Sequence, residues 1–394
     1  AMAIIQALAF MIGMGSGNYM TRSLGAGKRE LAEQIVSIAF FTGIIMGLVI
    51  TVSATFNIHR VVLLLGATET IAPYAEAYAH YIFIAAPFMI CSFIMNNLLR
   101  FQGKASFAMV GITVGGLLNI ALDPLFIFTL DMGTAGAALA TGLSQFISFC
   151  ILLWMCNHQD SCISISIRKF RPKLAIYREV LYGGIPSLGR QGIASVATIL
   201  MNFMCQPYGD AAIAAMSIVS RFMFFINSVI IGFGQGFQPV CSYCFGAGLY
   251  DRVKKACWFC IRVSTIILLV LSVISFPAAR SIITLFRRND PTVIEIGTLA
   301  LRLQLITLPL QGAVIMGNMM PQSIGYGFRA TLVSTARQGI FLIPLLTIMT
   351  YTIGLLGIQC AQPLADIATF ILSLFVIRGI FKEFPEDASS FAAQ

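Results

Sequence analysis

Apolar runs of about twenty residues follow one another along the whole chain, and a helix of that length crosses a hydrocarbon core of about 30 Å. Each can satisfy its backbone hydrogen bonds only as a helix once it is in lipid. Of the 394 residues, 58% are hydrophobic and 10% charged, whereas soluble domains carry about 25% charge. A soluble enzyme is excluded on those grounds. The runs predict spans at 1–20, 32–56, 72–98, 106–130, 133–156, 184–206, 211–240, 256–278, 292–318, 327–350 and 353–377. Residues 1–20 lack a basic start and a small-residue cleavage site, so that span is expected to belong to the fold rather than to a cleaved leader.

The formal charge of +9 invites a nucleic-acid reading. The distribution of the charge argues against it. Basic clusters at 21–34, 100–105, 157–181 and 252–255, with Arg329, Arg378 and Lys382, fall in alternate loops. That is the pattern by which Lys and Arg mark the cytoplasmic side. Arg60, Arg280, Arg287 and Arg288 lie on the other side, the last two in a local FRRND exception. The basic balance therefore reports orientation in a membrane.

The chain also repeats itself. The segment GQGFQPVCSYCFGAGLYDRVKKA from Gly234 is echoed by GMGSGNYMTRSLGAGKRELAEQ from Gly13. A shift of 221 residues lays Gly25-Ala26-Gly27 on Gly246-Ala247-Gly248, Gly133 and Gly136 on Gly354 and Gly357, and Asn97 on Asn318. A tandem duplication of a helical bundle is a recurrent plan among secondary transporters. Each Gly-Ala-Gly follows a span and precedes a basic turn, as expected where a helix ends on a left-handed glycine. A phosphate cradle would need a strand before it and a helix start after it, and neither is expected here.

Cys241, Cys244, Cys257 and Cys260 have the spacing of a zinc ribbon. They lie in or beside apolar spans, and the repeat has Met20 and Ser23 in place of Cys241 and Cys244. Small buried residues or thiol and metal chemistry both fit the spacing; the repeat argues for the first. His59, His80 and His158 are too scattered for a metal site.

These motifs together resemble those of multidrug and toxic compound extrusion (MATE) transporters, most closely the bacterial branch exporting cationic dyes and drugs. The carriers are Gly232-Phe233-Gly234-Gln235-Gly236-Phe237-Gln238-Pro239, the Gly-Ala-Gly turns with Arg252-Val253-Lys254, Asn119-Ile120-Ala121-Leu122-Asp123-Pro124, Gly133-Thr134-Ala135-Gly136-Ala137-Ala138 and Gly184-Ile185-Pro186-Ser187. The resemblance implies an all-α polytopic membrane protein with two six-helix lobes, of which this chain shows eleven helices and lacks the first. The expected organisation is an N-terminal lobe at 1–156, a cytoplasmic linker at 157–183, a C-terminal lobe at 184–380 and a cytoplasmic tail at 381–394. It also implies a monomer in the bacterial inner membrane, with H⁺ or Na⁺ as coupling ion and no cofactor. The partners implied are cationic drugs or dyes and the lipid bilayer, with no nucleic acid.

An ionisable residue inside a span is costly and marks function by default. Asp123 has Asn119 one helical turn before it, and Thr141 reaches a similar depth from the next, antiparallel span. In the family, matching positions form a polar pocket that binds the coupling cation. Asp123 alternatively satisfies backbone groups freed by Pro124. In the second half, Arg190, Gln191, Asn202, Arg302, Gln304 and Asp366 are candidates for a substrate cleft. Arg190 either faces that cleft or snorkels or pairs with a carboxylate. Asp366, one turn after Gln362, is either an ion relay or a partner for an arginine.

Two other classes compete. A thiol oxidoreductase would use the paired cysteines. A flippase for a lipid-linked, anionic substrate would use Arg190, Arg221, Arg262, Arg302 and Arg337 to hold a diphosphate.

Overall fold

The computed structural model describes residues 2–64, 70–158, 165–288 and 290–385. Parts of the expected linker and tail, 159–164 and 386–394, lie outside the described residues, as does the side chain of His158. Every regular element among the described residues is helical. The long rods are α1 (Met2–Gly25), α2 (Arg29–Phe56), α4 (Ala72–Phe101), α5 (Ala105–Pro124), α6 (Gly133–His158), α7 (Leu174–Cys205), α8 (Asp210–Gly246) and α9 (Tyr250–Phe286). Two further rods are each broken once. α10 (Pro291–Thr307) and α11 (Gln311–Ile324) are joined by a 3₁₀ turn, and α12 (Gly327–Thr335) and α13 (Ile343–Ile353) by a π-helical segment, Ala336–Leu342. α14 (Leu355–Glu383) completes the set, and α3 (Ile58–Leu64) is a short helix after α2. Each expected span finds its rod.

Among the described residues, nine of these rods are long and apolar enough to cross a membrane, and α1 and α7 fall short. Their composition explains why. The middle of α1 buries Gly13, Gly15, Ser16, Gly17 and Asn18, and α7 carries Gly183 and Gly184. At Gly15 a Cβ would stand 1.9 Å from the carbonyl oxygen of Val180, and at Gly184 one would stand 2.1 Å from that of Met11. Glycine on each helix lets the backbones touch, Gly15 against Val180 and Gly184 against Met11, and small residues at such contacts are the usual means of helix association in lipid. In α1 the low hydropathy goes with close packing; in α7 it also reflects Arg178, Glu179, Arg190, Gln191 and Asn202.

The chain forms two compact units, Ala1–Leu188 and Gly189–Gln394, divided within α7. The first packs its core around α4, with Ile82, Met89, Ile90, Ile94 and Leu98 fully buried. The second packs around α8, α9, α10 and α11.

The two units make the same hydrogen bonds at matched places. Proline removes a backbone N–H and frees the carbonyl four residues earlier. Pro87 in α4 frees that of Phe83, and Thr51 Oγ1 donates to it at 2.6 Å. Pro309 frees that of Leu305, and Ser272 Oγ donates to it at 2.6 Å. Thr51 and Ser272 are 221 residues apart, while Phe83 and Leu305 are 222 apart. The same offset corrects one sequence pairing. Asn96 Nδ2, not that of Asn97, donates to Ala108 O at 2.8 Å, as Asn318 Nδ2 donates to Ala330 O at 2.9 Å. One extra residue therefore enters the second copy between Ser272 on α9 and Leu305 on α10. It is taken out again before Gly354, where the shift returns to 221. A constant offset read along the sequence misses such a local change of register.

The Gly-Ala-Gly segments end helices as expected. Gly27 has φ +74° and Gly248 φ +75°, the left-handed conformation that glycine adopts at no steric cost. Lys28 N donates to Ser23 O at 2.9 Å and Leu249 N to Cys244 O at 2.9 Å. These bonds satisfy carbonyls that the helix end would leave open.

Candidate cation and substrate site

In the first unit, α5 and α6 run antiparallel with their register set by two glycines. A Cβ at Gly111 would meet Leu152 Cδ2 at 2.4 Å, and one at Gly115 would meet Ser148 Cβ at 3.1 Å. Ser148 Oγ donates to Gly111 O at 2.9 Å and locks that register. One helical turn beyond Gly115, Asn119 then comes opposite Thr141. Asn119 Nδ2 donates to Asp123 Oδ1 at 3.3 Å and to Thr141 Oγ1 at 3.4 Å, and Thr141 Oγ1 donates to Ala137 O at 3.0 Å. The structure thus brings together Asn119, Asp123 and Thr141, all half-buried.

Both Asn119 contacts are long for N–H···O bonds, whose usual length is about 2.9–3.0 Å. The amide bridges carboxylate and hydroxyl without saturating either. Pro124 ends α5 directly after Asp123, and a π-helical segment, Leu125–Thr129, follows. Such wide turns recur at functional sites. A carboxylate, an amide oxygen and a hydroxyl are hard oxygen donors, a set that fits Na⁺ as well as a proton.

In the second unit Asp366 is 1% exposed and accepts from two side chains. Arg337 Nε donates to its Oδ1 at 2.8 Å and Gln362 Nε2 at 3.0 Å. Of the two readings open for Asp366, an arginine partner is present. From the sequence, Arg337 stands out only as a residue to hold an anionic substrate. The available signal was electrostatic: a carboxylate deep in a span needs a counter-charge, and Arg337 lies on the neighbouring rod.

The other candidates are not gathered around Asp366, whose partners among the described residues are Arg337 and Gln362. Arg302 is exposed and lies over the Phe276 ring, 5.5 Å from its centroid. Asn202 is exposed, Arg190 and Gln191 are half-buried and Gln304 is buried. Cys241, Cys257 and Cys260 sit in the apolar core of this unit, with Cys244 packed against its edge. Among the described residues no group of three or more His, Cys, Asp or Glu side chains is placed to hold a metal ion.

The MatE family model matches residues 1–125 and 186–348. The multidrug export protein MepA of Staphylococcus saprophyticus is 28% identical over 375 residues, covering 95% of this chain and 82% of that protein. Among solved structures, the outward-facing conformation of a multidrug resistance MATE family transporter of the MOP superfamily aligns with a TM-score of 0.91 at 25% identity, over 98% of this chain and 86% of that one. A MOP superfamily transporter from Pyrococcus furiosus, described as having a binding pocket of reversed polarity, aligns with a TM-score of 0.90 at 26% identity, over 97% and 86%.

Proposed function

The chain belongs to the MatE family of multi-pass membrane transporters, and from that premise we propose that it exports amphipathic, mostly cationic small molecules across the bacterial cytoplasmic membrane, driven by H⁺ or Na⁺ entering. It is a transporter and not an enzyme, so no covalent step is needed. The observation that carries the reading is the Asn119–Asp123–Thr141 cluster on α5 and α6. It joins one membrane-embedded carboxylate to neutral oxygens that a small cation can share. The printed name of the staphylococcal relative, a multidrug export protein, supports the cargo class. Alternate clusters of Lys and Arg support the orientation.

The mechanism follows from differential affinity. A cation and a cargo that prefer different conformations bias one equilibrium in opposite directions, and an ion gradient then drives the cargo. Asp123 carries the charge that the entering ion neutralises. Its loosely held carboxylate costs little to reorganise when the ion arrives.

The test is dye flux in proteoliposomes under an imposed pH gradient and, separately, an imposed Na⁺ gradient. The reading expects cationic dye movement against its own gradient with at least one of the two ions. Transport of an anionic lipid-linked saccharide with no movement of cationic dyes would contradict it.

A further inference from the structure

The second unit holds a carboxylate that this mechanism does not use. Asp366 lies almost wholly out of contact with solvent, and both of its donors, Arg337 and Gln362, converge on Oδ1. Its Oδ2 is buried with no hydrogen-bond partner among the described residues. An ionised carboxylate normally fills both oxygens, and an open buried acceptor is costly. A carboxyl group has one direct remedy. A proton added to Oδ2 removes the charge and leaves Oδ1 able to accept from Gln362.

The place in the fold is also informative. Shifted by 221 residues, Thr141 falls on Gln362. Each unit therefore has a polar cluster on its last two rods, containing one carboxylate and a neutral side chain at the repeat-matched position. The clusters differ in what faces the carboxylate. In the first unit it is the amide of Asn119; in the second it is a guanidinium, which excludes Na⁺ by charge and by offering N–H donors where a metal needs oxygens. Arg337 also sits on the π-helical segment Ala336–Leu342, and π turns inside α-helices concentrate at functional sites.

Among the described residues, no second acid is bonded to Asp366. The rods packed on α14 are α10, α11, α12 and α13 with the π segment. Their charged or titratable groups are Arg337 on the carboxylate, Glu295 and Arg302 exposed on α10, Tyr351 exposed at the end of α13, and Arg329, bonded to Glu383 at the far end. α11 carries none. On α14 itself are Cys360, Arg378, Lys382 and Glu383. α7 touches the π segment, where a Cβ at Gly189 would meet Thr335 Cγ2 at 3.4 Å and one at Gly339 would meet Ile193 Cγ2 at 3.1 Å. Its charged group on that stretch is Arg190.

We propose that Asp366 is a second proton-binding site, with Arg337 as the built-in cation that the incoming proton replaces. A proton from water bonds to Oδ2 and no other covalent bond changes. The guanidinium keeps its protons, and the net charge of the pair goes from zero to +1. Arg337 is then free to leave the carboxyl. The part of this proton in transport rests on the exporter reading above; its binding does not.

Infrared spectra of the full chain in liposomes, without cargo and over a series of pH values, test the proposal. The carboxylic-acid C=O band of a buried acid should grow on acidification in the wild type and in Asp123→Asn, and be lost in Asp366→Asn. Arg337→Gln should show the band already at neutral pH, because a buried carboxylate without its counter-charge takes up a proton. If either single variant fails to give a monodisperse protein, the neutral double variant Asp366→Asn/Arg337→Gln replaces it and should lack the band. Asp366→Asn or the double variant with the wild-type band, or Arg337→Gln without it at neutral pH, would overturn the proposal. Either result would leave the role of Asp123 standing, since cargo and gradient are absent from the measurement.

Discussion

Asn119 is the hinge of the first-unit cluster, because its amide holds both the carboxylate and the hydroxyl. Asn119→Ala removes both bonds, whereas Thr141→Ala removes one and leaves Asn119 on Asp123. With a net hydrogen bond worth about 1 kcal/mol, Thr141→Ala should weaken ion affinity about five-fold and Asn119→Ala more. Ion-dependent protection against thermal unfolding of the purified variants would rank them; a Thr141→Ala loss larger than that of Asn119→Ala would contradict the geometry. At Cys241 and Cys257, fully buried among apolar neighbours, replacement by Ala should leave export intact, and a dye-flux assay checks it. The first cluster was legible in sequence because four-residue spacing and matched depth are both properties of helices. The Arg337–Asp366 bond was not, because a π-helical segment resets the face from which a side chain projects.

The helices themselves were visible as apolar runs, and their breaks were marked by prolines. What the runs could not show is how freed backbone groups are met. Thr51→Val and Ser272→Ala should each remove the side-chain donor from a carbonyl opposite proline, Leu305 O keeping the backbone N–H of Leu308. The cost should be about 1–2 kcal/mol, since polar contacts between membrane helices are individually modest. The larger loss is expected at Thr51, since both side-chain bonds are 2.6 Å long but Leu305 O keeps its bond from Leu308 N. Larger penalties belong to the α1–α7 contact. Gly15→Ala and Gly184→Ala drive a methyl group into backbone carbonyls at 1.9 and 2.1 Å, and overpacking of this kind costs about 1–3 kcal/mol. Gly116→Ala, with nothing within 4 Å, is the control and should be near neutral. Thermal unfolding in detergent reads all five; stable Gly15→Ala and Gly184→Ala proteins would refute the close approach.

At the scale of the molecule, a duplicated bundle accounts for the pairing of structural devices: two glycine-ended helices, two hydroxyls on proline-freed carbonyls, two buried asparagines holding a turn. The duplication was legible from glycines. Its local register was not, because the one-residue offset arises in connecting segments whose lengths are free to drift. The duplication also separates roles, since the same rods carry an open carboxylate in one unit and an arginine-paired one in the other. On the proposed reading, gradient-driven export should depend on Asp123. The direct measurement compares dye accumulation under an ion gradient with dye–dye exchange at zero gradient, in proteoliposomes of the wild type and Asp123→Asn. The amide keeps the shape of the side chain but cannot exchange a proton and is a poorer ligand for Na⁺. Exchange should persist while accumulation falls by about tenfold or more, a loss of coupling of at least about 1.4 kcal/mol. Accumulation by Asp123→Asn at the wild-type rate under either gradient would contradict the account.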